Sequence, residues 1–340
     1  AMSLGIGFST AITPMIAKAD GANDENKVRN IFFHGLILCT FLGVFLAIAV
    51  LFSQPLLKQM GQPEEVVELA YPYLFWVAIS LIPLVAFQGF RQFSEGLFQT
   101  RLAMYATLMG NVINVILNYG FIFGGFGFPE LGVEGAAIGS LIARFAMLLF
   151  MGVNVRTNKK FKIYTQKIHK VKAQLNLFKR IISLGFPSAL QMFFEVTFFT
   201  SAVWISGILG KNPQAANQIA LNLSSMTFMV ALGVGVTAMI RVGNQKGKNN
   251  FLELRRIAIS TFFLIFIMDV VFALFFVATH EYLPWLYLDS NNPLIYDDVI
   301  IVVKLASNLL LIAALFQISD GLQAVVLGAL RGLQDVNLPA

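Results

Sequence analysis

The fold class predicted by the 340-residue sequence is an all-α polytopic membrane protein, and three observations predict it. The chain is 57% hydrophobic and only 12% charged, with mean hydropathy +0.73, whereas a soluble domain carries about a quarter charged residues. Its apolar residues gather in runs of about 20, the length a helix needs to cross a hydrocarbon core of about 30 Å. The runs are continuously apolar instead of alternating, which favours helices over barrel strands.

Taken in order, a short run at 2–17 is only a partial span and opens with an L-G-x-G motif. Full spans are expected near 31–52 and 69–93, the second leading into "EGLFQTRL". The span at 104–123 carries Asn111, Asn114 and Asn118, and that at 133–154 carries Arg144. After a basic connector, "RTNKKFKIYTQKIHKVK", the span at 179–209 holds Pro187, Gln191 and Glu195. The next, 214–240, includes Gln218, Asn222, Gly233 and Gly235; then 257–279 carries Asp269, and 299–330 carries Gln317 and Asp320.

If these spans weave back and forth, one side receives 20 of the 24 Lys and Arg residues. Lys58, Lys211 and Lys304 fall on the other side, and Arg144 lies inside a span. Such a bias makes the basic side cytoplasmic. The net charge of +6 is therefore a topology signal, not a nucleic-acid footprint. The connector reads as a solvated cytoplasmic loop able to rest on anionic membrane lipid.

Other classes are poorly supported. A single cysteine, Cys39, excludes an internal disulfide, and His34, His169 and His280 are scattered without an i, i+4 pair. The closest approach to a P-loop, "GNQKGKNN", lacks the spacing and the hydroxyl that phosphate and Mg²⁺ binding require. Neither an enzyme nor an ATP-driven pump is expected. A passive channel would instead call for rings of similar polar residues in a symmetric assembly.

The chain repeats itself. "LGIGFSTAITPMIAKADGAN" from Leu4 is echoed by "LGVGVTAMIRVGNQKGKN" from Leu232, with the polar turns at Gly21 and Gly247 out of step by two residues. "EGLFQTRL" from Glu95 is likewise echoed by "RGLQDVNL" from Arg331. Each match pairs a helix with the one six spans later, so the halves should be related by an axis along the membrane normal. The expected parent has twelve helices, of which this chain holds the second to the tenth.

A carboxylate at mid-span costs about 2.5–3.5 kcal/mol on insertion scales, so one is kept there mainly when it faces a cavity or a partner. Glu195 and Asp320 each have an amide one helical turn away, Gln191 and Gln317. They are the leading candidates for a site at which a proton or Na+ competes with a cationic solute, because burial favours the neutral acid and an arriving cation the ionised one. Asp269, with wholly apolar flanks, weighs toward a structural tie to a cationic or hydrogen-bonding neighbour. Asn114 and Asn118 share a face and either line a cavity or bridge helices, the latter at about 0.6 kcal/mol each. Arg144 either snorkels or neutralises an acid. Pro187, Gly233 and Gly235 are candidate hinges, and equally packing notches.

The ordered set "AKADGAN", "NYGFIFGGFGFPELGVEGAAIG", "LGFPSALQMFFE", "AANQIALNLSS", "LGVGVTAMIRVGNQKGK" and "DGLQAVVLGALRGLQD" resembles the multidrug and toxic compound extrusion (MATE) family, in its NorM-like branch, over essentially the whole chain. The resemblance implies a carrier of two six-helix lobes opening alternately to each side and driven by inward Na+ or H+. The lobes would be an N-lobe at 1–154 and a C-lobe at 179–340, truncated at both ends and joined by the linker 155–178. It implies that Glu195 and Asp320 form the cation site and that Asn114 and Asn118 match the family's paired polar residues; Gln191, Gln218, Asn222 and Gln317 are expected to line the cavity with them. Asn118 stands where some relatives have the aspartate used in proton coupling, so a first-lobe proton site does not carry over. The function implied is export of cationic lipophilic drugs by a monomer in the bacterial inner membrane, with no cofactor beyond the coupling ion. A lipid-linked oligosaccharide flippase of the same superfamily is the alternative, although its cargo would favour a cationic cavity.

Overall fold

In a computed structural model, residues 1–59, 64–168, 171–288 and 296–336 are described. Among them there is no strand, and eight helices are long and apolar enough to cross a membrane. The protein is integral to the membrane. His169 lies outside the described residues.

The partial first span is broken into α1 (Met2–Ser9) and α2 (Ile12–Gly21). Then follow α3 (Glu25–Gln59), α4 (Glu64–Gly96), α5 (Thr100–Phe123), α6 (Gly132–Thr157), the short α7 (Lys159–Thr165), α8 (Leu175–Ile208), α9 (Lys211–Gly247), α10 (Phe251–Thr279) and α11 (Tyr296–Gly332). The chain divides into two compact units, Ala1–Met192 and Phe193–Pro339, so the division falls inside α8. Helix α5 ends on Gly124, whose φ of 67° is left-handed and costs a glycine nothing.

The basic connector is partly folded onto the first unit. Asn158 caps α7 by accepting from the Lys160 N–H at 3.0 Å. Phe161 is buried beside Phe93, and Arg29 donates to the carbonyls of Tyr164 and Ile163 at 3.1 and 3.0 Å. Tyr164 donates to Asp20 at 3.3 Å; burial first, then the Asp20 charge, pushes its hydroxyl up to about 12. Just before α8, the Gln174 N–H donates to Nε2 of the fully buried His34 at 2.8 Å. That leaves the imidazole proton on Nδ1, which faces the Asn30 carbonyl at 2.7 Å.

The internal repeat is written into the backbone. At the turn from α2 to α3, the N–H groups of Ala22, Asn23 and Asp24 donate to the carbonyls of Lys18, Asp20 and Ala19; at the turn from α9 to α10, those of Lys248, Asn249 and Asn250 donate to Asn244, Lys246 and Gln245. Asn23 and Asn249 both hold positive φ, at 54° and 55°. Asp24 and Asn250 both cap the helix that follows, accepting from Lys27 at 2.9 Å and Glu253 at 3.1 Å. A second pair of turns, after α4 and after α11, places Phe98 at φ 60° and Gln334 at φ 58°. Gly96 packs on Thr13 and Ile16, and Gly332 on the corresponding Met239 and Val242. The two-residue discrepancy seen in the sequence is taken up at Thr10–Ala11, between α1 and α2. Helix α9 runs unbroken through the matching region.

Candidate functional site

In the second unit, α8, α10 and α11 each contribute one acid. Glu195 is exposed on α8 and Asp320 is half-buried on α11, and the two lie within reach of each other's charge. Arg331, about three turns beyond Asp320 on α11, also acts on Glu195. Glu195 therefore has a like charge and an opposite charge as neighbours.

Gln317, one turn before Asp320, is 6% exposed, and its Oε1 accepts from the Thr227 hydroxyl of α9 at 3.0 Å. Its Nε2 is buried without a hydrogen-bond partner. Gln218 and Asn222, one turn apart on α9, are exposed, and no bond joins either to the acids among the described residues. Gln191 precedes Glu195 by one turn of α8. Among the described residues no group of three His, Cys, Asp or Glu side chains is gathered closely enough to hold a metal ion.

Asp269 departs from the expectation of a helix tie. It is 2% exposed, its Oδ2 has no hydrogen-bond partner, and no salt bridge reaches it among the described residues. The carboxyl rests against Gly321, where a Cβ would strike it. The charged group that acts on it is Asp320.

The first unit holds the asparagines. Asn118 donates to Asn114 at 3.2 Å, and Asn114 donates to Ser140 of α6 at 3.1 Å, so this pair bridges helices. Asn118 Oδ1 is buried without a partner, against Gly139. Arg144 meets no acid among the described residues: it donates to the buried Ser80 hydroxyl of α4 and to the Met2 sulfur at 3.8 Å. Pro187 sits within an unbroken α8. Gly235 is a packing notch, since a Cβ there would meet the Ala324 carbonyl at 2.7 Å, whereas one on Gly233 would meet nothing within 4 Å.

Sequence reasoning missed Thr227 and Arg331 as neighbours of this cluster, because an ordinary threonine and a basic residue near a helix end carry no local signal of a distant partner. The glycine after Asp320 was the available hint for Asp269, since it marks a close approach on α11.

Comparison with known proteins agrees with this architecture. The MatE family model matches residues 1–120 and 187–340. The chain is 34% identical to the probable multidrug resistance protein NorM of Rhizobium meliloti (strain 1021), covering 98% of this chain and 71% of that protein. It is also 34% identical to the multidrug resistance protein MdtK of Proteus mirabilis (strain HI4320), with the same coverage. In fold it matches a transporter of the MOP superfamily from Pyrococcus furiosus with a TM-score of 0.85 at 22% identity, over 99% of this chain and 73% of that one. A eukaryotic MATE transporter matches with a TM-score of 0.83 at 19% identity, over 99% and 72%. With its duplicated turns, eight spanning helices and extended matches, the chain belongs to the MatE family of multidrug and toxic compound extrusion proteins.

Proposed function

We propose that the protein is a secondary active multidrug exporter that moves cationic lipophilic compounds out of a bacterial cell in exchange for Na+ or H+, by alternating access. The observation that carries the reading is that a chain of the MatE family places one acid in each of two spanning helices of the same unit, Glu195 on α8 and Asp320 on α11. Relatives named as multidrug resistance proteins give the cargo class. Two acids that repel each other take up a cation readily, and either a small coupling ion or a larger positive guest can satisfy them. Gln191, Gln317, Gln218 and Asn222 supply polar lining in the second lobe, whereas Asn114 and Asn118 tie α5 to α6 in the first.

On this reading the lobes are 1–154 and 179–340, the linker is 155–178, the basic loops face the cytoplasm across the inner membrane, and one chain suffices for transport. Pro187 and Gly233 supply bending, while Gly235 is the notch at which α9 packs on α11; the helix break at Thr10–Ala11 in the first copy supports flexibility in this part of α9. The flippase alternative draws on one feature, the inward-turned Arg144, which suits an anionic lipid-linked cargo. The deciding experiment is ion-driven efflux of a fluorescent cation by the full-length protein in proteoliposomes. Glu195→Gln should abolish it, and unchanged efflux would overturn the proposal.

A further inference from the structure

We propose that Asp269 is a third cation-coupling carboxyl, which takes up a monovalent cation together with Asp320 across the notch at Gly321. The inference rests on the exporter reading and extends it to α10.

Three independent observations carry it. First, Asp269 is 2% exposed and its Oδ2 is unpartnered. A buried ionised carboxylate needs a compensating charge, and no cation of the described protein bonds to it. One turn away, Ile265 belongs to an apolar cluster with Ala231, Ala238 and Val325, and Asp320 is the charged group that acts on Asp269 from α11. A bound cation, a proton or Na+, supplies what the protein does not.

Second, a further buried polar atom without a hydrogen-bond partner lies on the same stretch of α11 as Asp320 and Gly321. Gln317 lies one turn from both Asp320 and Gly321, and its Nε2 is a second buried orphan. Thr227 of α9 holds the other end of that amide.

Third, the repeat shows that helix packing does not require the acid. The matching turns place Asp269 opposite Gly43 of α3, and Gly321 opposite Val85 of α4. In the first copy Gly43 makes the close crossing: a Cβ there would meet Ile82 Cα at 3.1 Å and the Leu81 carbonyl at 3.2 Å. In the second copy the glycine stands on the partner helix instead, at Gly321, with the Asp269 carboxyl against it. A fold that needed only a crossing already had one without charge.

The test uses the full-length protein in proteoliposomes, with ethidium flux driven by an imposed pH gradient or an imposed Na+ gradient. Asp269→Asn should reduce flux under the operative gradient by about tenfold or more, while ethidium exchange without a gradient persists. Gly321→Ala keeps every acid but drives a methyl into the Asp269 carboxyl, and should show the same split. Loss under only one gradient identifies the ion. If Asp269→Asn couples like the parent while Glu195→Gln does not, the inference fails and the exporter reading stands; if both couple normally, both fail. If Asp269→Asn loses exchange and thermal stability but Gly321→Ala is normal, Asp269 is merely structural and the inference fails.

Discussion

Gly233 and Gly235 differ by two positions on α9 and should respond oppositely to the same substitution. A methyl added at Gly235 would lie 2.7 Å from the Ala324 carbonyl oxygen of α11, where carbon-to-oxygen contacts settle at about 3.3–3.6 Å. The shortfall of roughly 0.6–0.9 Å cannot be relieved by rotating a side chain, because the obstacle is backbone. The helices must part, at an overpacking cost of about 1–3 kcal/mol. At Gly233 no atom lies within 4 Å of the added methyl, so Ala there gains about 0.5–1 kcal/mol from reduced backbone freedom in the unfolded chain and better helix propensity. The two variants should therefore differ by about 1.5–4 kcal/mol, with Gly235→Ala the weaker. Thermal unfolding in detergent, followed by tryptophan fluorescence, reads this as a lowered midpoint for Gly235→Ala and an equal or raised one for Gly233→Ala. Equal midpoints would refute the notch. Transport by Gly233→Ala tests the hinge separately: stiffening without steric conflict should slow turnover if α9 bends there.

Two other outcomes follow from the geometry. Because Tyr164 is held at about 12, above the usual tyrosine value of about 10, the folded state retains its proton while an unfolded chain loses it. Its contribution is thus complete below pH 10 and is lost as pH rises toward 12; Tyr164→Phe should flatten the fall in thermal stability across that window, and an unchanged slope would count against the docking of α7. Thr227→Val keeps the shape but removes the 3.0 Å bond to Gln317, leaving both ends of a buried amide unpaired. A loss of about 1–3 kcal/mol is expected, measurable by the same unfolding assay, and Gln317→Leu in the Thr227→Val background should restore part of it.

The spanning helices were legible because continuous apolar runs leave a bilayer helix as the natural reading. The eight found begin and end within several residues of the expected limits. The broken start of the chain was half visible: the two-residue discrepancy between Gly21 and Gly247 was in plain view, but nothing local indicated that a helix break at Thr10–Ala11 would absorb it. Glu195 and Asp320 stood out as charges in apolar surroundings. Asp269 stood out equally, but its direction depends on the rotation of α10 against α11, and that is set by Gly321, more than fifty positions away. Arg144 illustrates the same limit, since the buried hydroxyl of Ser80 that receives it lies on another helix.

The two left-handed residues after α4 and α11, an exposed phenylalanine and a glutamine, show that matching corners tolerate unrelated side chains, since the same pair of backbone hydrogen bonds closes each bend. Duplication thus delivered a spare set of joints whose upkeep did not constrain what was mounted between them. The second copy carries Asp269 and Asp320 where the first has Gly43 and Leu84, and a carrier with unequal halves emerged from an equal framework.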